Sequence, residues 1–315
     1  MIPLHAVEPD EQTRQRMVAL ALDYRNICVV GLGYVGLPTA LLFAMNGYTV
    51  QGVDVSPRVL ENIATSKVGE AYPELSDWWE TVRQQSRFTA APKPEPADVF
   101  LITVPTPVHA VEKTCDLSMV RAATESILPV LRKNNLVILE STVPPGTTRQ
   151  LLKPLIEEHT GLKVGEDIFL CFSPERVLPG NTTHELIYNH RVIGGTTPAS
   201  AILGQTLLSQ VMKGNLYTTD DVTAEFCKLA ENTYRDVNIA LANELSILAD
   251  EYGVNMPEAR ELINMHPRVN LLKPGIGVGG HCIAVDPWFF VEASPINTRL
   301  IATSKGLQLN RSKKK

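Results

Sequence analysis

The sequence predicts an α/β protein: a mainly parallel, doubly wound sheet, followed by one long spine helix and a small helical domain. Three observations carry that expectation. Short apolar runs alternate with helical stretches between residues 27 and 170, the rhythm of parallel strands joined by helical crossovers. A glycine-rich turn follows the first apolar run directly. The stretch from Val222 to Tyr252 holds no glycine or proline, so at about 1.5 Å per residue it builds a single helix of roughly 45 Å.

Taken in order, residues 11–24 predict a helix with Met17, Leu20 and Tyr24 on one face, so residues 1–25 read as a helical extension packed on the fold. The predicted strands are Ile27–Val30, Thr49–Val53, Asp98–Ile102, Leu136–Leu139 and Ile168–Leu170. A helix starts at Pro57, with proline at its first position and Ser56 placed to cap it. Pro92, Pro94 and Pro96 mark a surface loop. Beyond the long helix come a shorter one over Met256–Asn264, a glycine loop at 275–282 and a short helix from Pro287. The domains so drawn are residues 26–213 and 214–303, with 304–315 a polar, basic tail whose composition predicts disorder.

Composition bounds the function. A chain of 315 residues, 44% hydrophobic and 20% charged, is an ordinary globular protein with room for two cores. A net charge of −5 counts against a nucleic-acid binder, which presents a basic face. Five cysteines, odd in number and without a repeated Cys-x-x-Cys, support neither a disulfide framework nor a zinc site. Charged residues Glu8, Asp10, Glu11, Arg14 and Arg16 precede any apolar run, and no apolar stretch reaches membrane-spanning length. A cytoplasmic protein without membrane insertion is expected. The histidines lack metal-ligand spacing, so no catalytic metal is expected.

Gly31-Leu32-Gly33-Tyr34-Val35-Gly36 follows an apolar strand and opens a helix through Pro38, Ala40 and Leu41. In that setting the glycines allow a tight turn, close approach of a pyrophosphate and helix-on-sheet packing, the Rossmann-type arrangement. Asp54 ends the second strand, where a carboxylate accepts from both ribose hydroxyls and repels a 2′-phosphate, so NAD is favoured over NADP. The alternative is a packing turn with Asp54 a solvated strand-end charge. Val104-Pro105-Thr106-Pro107 follows another strand end and places Thr106 on the same sheet edge, either lining the nicotinamide side or forming a plain proline turn.

Gly275-Ile276-Gly277-Val278-Gly279-Gly280-His281-Cys282-Ile283-Ala284-Val285-Asp286 sets one cysteine in a glycine-dense loop with a carboxylate four residues later. A thiol there is a nucleophile where its surroundings favour the thiolate, and an inert loop cysteine otherwise. Cys28, Cys171 and Cys227 sit in apolar or helical settings that suit buried thiols. On the long helix Lys228 and Asn232 share a face, flanked by Glu225 and Arg235, with Phe226, Leu229, Val237 and Leu241 on a packing face. A lysine and an amide so placed can bind a hydroxyl and stabilise an oxyanion, or form a solvated polar face. Glu140-Ser141-Thr142-Val143-Pro144-Pro145-Gly146 and Ser173-Pro174-Glu175-Arg176 each follow a strand, at the sheet edge where open α/β folds bind ligands. There Glu175 can handle protons and Thr142 can hold a water, though each taken singly also suits a turn or a helix cap.

In this order, the fingerprint glycines, Val-Pro-Thr-Pro, Glu-Ser-Thr-Val-Pro, Ser-Pro-Glu-Arg, Lys-x-x-x-Asn and Gly-Gly-x-Cys-x-x-x-Asp resemble the UDP-glucose/GDP-mannose dehydrogenase family from about Ile27 to Ile301. The resemblance implies oxidation of a nucleotide sugar at C6 to a uronic acid with two NAD. Pro174–Gly180, Asn232–Ala240 and Gly279–Trp288 are similar to the branch acting on UDP-N-acetylated hexosamines, the manno sugar first and the gluco sugar as the alternative. It further implies that Cys282 captures the aldehyde, that Thr142 and Asp286 hold the hydrolytic water, that Lys228 and Asn232 stabilise oxyanions, and that Glu175 assists proton movement. Cofactor contacts implied are Gly31, Gly33, Tyr34, Val35, Gly36, Asp54, Thr106 and Thr142. Implied substrate contacts are Arg176, Arg235, His266, Arg268, Gly279 and His281, with Arg268 lent across a homodimer built through the long helix.

Two departures stand out. Val285 occupies the place where UDP-glucose members carry lysine, which points away from glucose. The family's third, carboxyl-terminal domain, which grips the uridine diphosphate, has no counterpart before Lys315, so weakened substrate affinity is expected. A two-electron hydroxy-acid dehydrogenase and a catalytically silent NAD-binding subunit remain the competing readings. A role in surface polysaccharide synthesis is implied by the resemblance alone.

Overall fold

The computed structural model describes residues 9–109, 112–178, 180–278, 283–294 and 296–312. Eight strands, β1 (Asn26–Val30), β2 (Thr49–Val53), β3 (Phe88–Ala91), β4 (Val99–Ile102), β5 (Leu136–Leu139), β6 (Phe169–Phe172), β7 (Arg191–Gly195) and β8 (Leu216–Asp220), form one sheet in the order β3-β2-β1-β4-β5-β6-β7-β8. Every neighbouring pair is parallel except β6 with β7. The reversal of order at β1 and β4 is the mark of a doubly wound sheet.

Alternation of side chains builds a core on each face. Ile27, Val29, Val99, Leu101, Leu136 and Ile138 pack with Met17, Leu41 and Leu203, on helices Glu11–Asp23, Gly36–Met45 and Pro198–Ser209. Cys28, Val30, Phe100, Ile102, Val137 and Leu139 pack with Val120, Ile127 and Ile156, on helices Ser118–Ile127 and Lys153–Thr160. The five expected strands therefore stand as β1, β2, β4, β5 and β6. The three that the sequence does not announce have physical reasons. β3 is a partly exposed Phe-Thr-Ala-Ala, β8 is a partly exposed Leu-Tyr-Thr-Thr-Asp, and β7 ends in two glycines.

The chain divides into two compact units, Met1–Thr106 with Leu117–Phe226, and Pro107–Asp116 with Cys227–Lys315. The first of these units reaches Phe226, inside the long helix Asp221–Glu251, and the segment after Thr106 belongs to the second. The polar tail expected from residue 304 is instead part of a helix, Arg299–Ser312. Ser304 and Lys305 are buried there, with Lys305 Nζ 3.3 Å from Asp236 Oδ1 and 3.1 Å from the carbonyl of Ile283. A polar sequence is not a solvated one when its charge has a buried partner. Ser56 does precede a helix, Pro57–Ala64, but its side chain makes no cap; its N–H donates to Asp54 Oδ1 at 2.8 Å. Among the described residues no helix is long and apolar enough to cross a membrane.

One ion pair is wholly buried at the sheet. Arg191, opening β7, donates through Nη1 to Glu140 Oε1 at 2.8 Å, just beyond β5. Burial pushes the Glu140 carboxyl up, and the guanidinium opposes that push. Replacing Arg191 with Met is expected to leave Glu140 buried without its partner and cost about 3–5 kcal/mol in urea unfolding. The double variant Arg191→Met/Glu140→Gln is expected to recover part of that loss; a single variant as stable as the parent would contradict the assignment.

Candidate active site

In the first unit the turn after β1 gives each fingerprint glycine a separate task. Gly31 has φ +97°, the left-handed region, and its N–H donates to Val53 O at 2.7 Å. A Cβ on Gly36 would stand 1.8 Å from Gly31 O and 2.3 Å from Thr103 Oγ1, so helix Gly36–Met45 starts in direct contact with the turn. A Cβ on Gly33 would meet nothing within 4 Å. No side chain caps this helix start, where Val35 occupies the cap position. The first turn therefore offers main-chain N–H groups and the positive end of the helix dipole beside an open glycine.

Asp54, at the end of β2, accepts from Leu32 N and Ser56 N, each at 2.8 Å, one on each carboxylate oxygen. Both bonds fix the carboxylate at the rim of the turn, and each oxygen keeps a lone pair for a ribose hydroxyl. A cavity of about 320 Å³ opens beside Leu32 of the turn, lined also by Leu37, Arg58, Val59, Ile63 and Tyr72 among others. Burial, followed by the Asp54 charge, pushes the Tyr72 phenol up. Sequence reasoning did not single out Arg58 or Tyr72; only the position of Arg58 in the helix after Asp54 could have flagged one of them. Tyr34 hydrogen-bonds Thr182 through its hydroxyl. An open Gly33, an uncapped helix start, an oriented carboxylate and a mainly apolar recess fit a dinucleotide.

Of the other sheet-edge candidates, those after β4 and β5 are tied to each other. Thr106 Oγ1 donates to Thr142 O at 2.7 Å, and Ser141 Oγ donates to Val104 O at 2.6 Å. Glu175 is buried and accepts from Val177 N at 2.5 Å. Arg176 turns to the main chain, donating to His190 O at 2.7 Å.

In the second unit the long helix buries a polar stripe, Lys228, Asn232 and Asp236, at 6%, 7% and 0% exposure. The solvated alternative for Lys228 and Asn232 is thereby removed. Asn232 Nδ2 donates to Asp286 Oδ2 at 2.6 Å, and Asp286 is itself buried. No spacing in the sequence announces that pairing. Arg235 is exposed beside that stripe, and of the expected packing face Leu229 is buried and Val237 half-buried, whereas Phe226 and Leu241 are exposed, at 53% and 48%. Glu225, on the helix's first turns, is wholly buried in the first unit rather than flanking a polar surface. His266 and Arg268 lie on an exposed turn, where Arg268 N donates to His266 Nδ1 at 3.3 Å. Gly279, Gly280, His281 and Cys282 lie outside the described residues.

Two family models match the chain: the NAD binding domain of the UDP-glucose/GDP-mannose dehydrogenase family over residues 25–214, and its central domain over residues 222–310. The NDP-N-acetyl-D-galactosaminuronic acid dehydrogenase of Ralstonia solanacearum is 47% identical over 293 residues, covering 91% of this chain and 69% of that protein. The UDP-N-acetyl-D-mannosamine dehydrogenase of Yersinia pestis is 47% identical over 290 residues, covering 90% and 69%. The solved UDP-D-ManNAc dehydrogenase of Pyrococcus horikoshii is 41% identical with a TM-score of 0.87, covering 91% of this chain and 68% of that one.

The two glycines make opposite predictions. Gly36→Ala is expected to destabilise the protein by about 3 kcal/mol or more, because it strikes the main-chain oxygen of Gly31 and the Thr103 hydroxyl bonded to that oxygen. Gly33→Ala is expected to melt like the parent yet raise the NADH dissociation constant about tenfold. Equal NADH affinity in a folded Gly33→Ala protein would contradict the pyrophosphate placement.

Proposed function

Since the chain belongs to the UDP-glucose/GDP-mannose dehydrogenase family, an NAD-dependent dehydrogenase family, we propose that it oxidises C6 of UDP-N-acetyl-D-mannosamine to the uronate. The observation that carries this reading furthest is the buried Lys228, Asn232 and Asp286 group, in which the amide of Asn232 holds the carboxylate of Asp286. Burying a lysine, an amide and a carboxylate costs solvation, and such buried polar groups concentrate at functional sites. UDP-N-acetylglucosamine is the alternative substrate, and the relatives' names also include a galactosaminuronate enzyme.

NAD, held by Gly31, Gly33, Tyr34, Val35, Gly36 and Asp54, with Thr106 and Thr142 towards its reacting end, supplies the hydride acceptor when bound. The residues of the chain do the rest. Lys228 and Asn232 bind the C6 oxygen and stabilise its negative charge. Loss of a hydride from C6 and of a proton from its hydroxyl would give the aldehyde; the thiolate of Cys282 adds to its carbon, and loss of a second hydride from the thiohemiacetal leaves a thioester, each hydride leaving with one of two NAD. Asp286 and Thr142 hold the water whose oxygen displaces the sulfur, releasing the carboxylate and returning the thiol. Glu175 takes up the proton set free. Arg176, Arg235, His266, Arg268, Gly279 and His281 are assigned to the substrate. The exposed Tyr234, Leu241, Ile247 and Leu248 of the long helix support a homodimer; light scattering at the mass of one chain would contradict it.

Cys282→Ser separates this mechanism from a two-electron dehydrogenase. The variant is expected to bind NADH like the parent and form no uronate, because serine is a weaker nucleophile towards the aldehyde and an oxygen ester is hydrolysed more slowly than a thioester. Full uronate formation by Cys282→Ser would overturn the covalent route.

A further inference from the structure

Glu225 is used by none of the steps above, yet three donors converge on it. Oε2 accepts the N–H of Gly146, and Oε1 accepts the N–H and hydroxyl of Thr148 at 2.8 and 2.6 Å. Gly146 adopts φ +95°, so the turn that presents its N–H is one that glycine alone forms readily. This turn closes the loop that leaves β5 at Glu140 and carries Thr142, and that loop is already tied to the one after β4 through Thr106 and Ser141. The carboxylate of Glu225 anchors its far end.

We propose that Glu225 is a positioning residue for the cofactor: its carboxylate holds the loop of residues 140–148 in the shape that receives the reacting end of NAD, and its protonation releases the N–H of Gly146 and loosens that loop. The inference rests on the NAD assignment. Burial pushes the carboxyl up to about 7, against the pull of its three donors. The charged groups around it are Asp221, one turn earlier on the same helix, and Arg149, whose Nη2 lies 2.5 Å from Asp221 Oδ1 and which also feels Asp220 at the end of β8. Asp221 favours the protonated form and Arg149 the ionised one.

The sign distinguishes positioning from stability. A carboxyl raised from 4.5 to about 7 in the folded state stabilises the fold fully below about 4.5, and that contribution is lost as pH rises through about 7. Cofactor affinity runs the other way, since it needs the carboxylate.

NADH fluorescence titration of the full chain between about pH 5.5 and 8.5 tests this. The parent is expected to lose about threefold or more in affinity from pH 8 to pH 6, even as its fold stabilises. Glu225→Gln, which cannot accept at both oxygens, is expected to bind weakly at every pH, without that slope. Parent-like affinity at pH 8, or a parent-like slope, in Glu225→Gln would overturn the proposal. Thr148→Val provides the second arm by removing one donor to the carboxylate. Its affinity midpoint is expected to move to higher pH, and an unmoved midpoint would also overturn the proposal. A parent chain that binds no NADH at any pH would instead overturn the NAD assignment itself.

Discussion

Both faces of the central parallel strands are covered, and that constraint decides where chemistry can reside. Along β4, β5 and β6 every side chain is buried, and alternate residues feed two separate apolar cores. Such strands have no place for a polar side chain, so polar groups collect where the strands end. The turn after β1, Asp54 after β2, Thr103 after β4, Glu140 after β5 and Ser173 after β6 all stand at one edge. An ion pair between Glu140 and Arg191 is buried there, the guanidinium on one carboxylate oxygen and the Thr39 hydroxyl 3.4 Å from the other.

The glycine turn is the second consequence. Thr103 donates its hydroxyl to Gly31 O at 2.7 Å, and Gly36 lies against both groups. Strand, turn and helix are therefore locked by contacts too close for any Cβ, while Gly33 stays open a few residues away. The segment is tightly packed where the helix meets the sheet and open at Gly33, and six residues provide both.

What the sequence made legible follows from these same forces. The long helix was visible because thirty-one residues lack a breaker, and it runs Asp221–Glu251. Strands buried on both faces announce themselves as apolar runs, whereas β3 and β8 do not, being partly exposed. Lys228 and Asn232 could be placed on one face by spacing alone. Their burial, and the bond from Asn232 to Asp286, depend on packing between segments distant in sequence, which periodicity does not encode. Glu225 reads as another surface acid on a helix, and only the turn at Gly146 gives it a purpose. Lys305 and Ser304 were hidden in the same way, because a basic, polar stretch becomes structured once Asp236 offers a buried partner.

The chain spans about 69% of the length of relatives such as those from Ralstonia and Yersinia. Its proposed four-electron oxidation through a thiol is decided by counting NADH released per sugar consumed when the purified chain meets UDP-N-acetylmannosamine and excess NAD. Two NADH per sugar, with the uronate as product, is expected. One NADH per sugar would contradict it in favour of simple alcohol oxidation, and none, with NAD bound, would contradict it in favour of a cofactor-binding subunit.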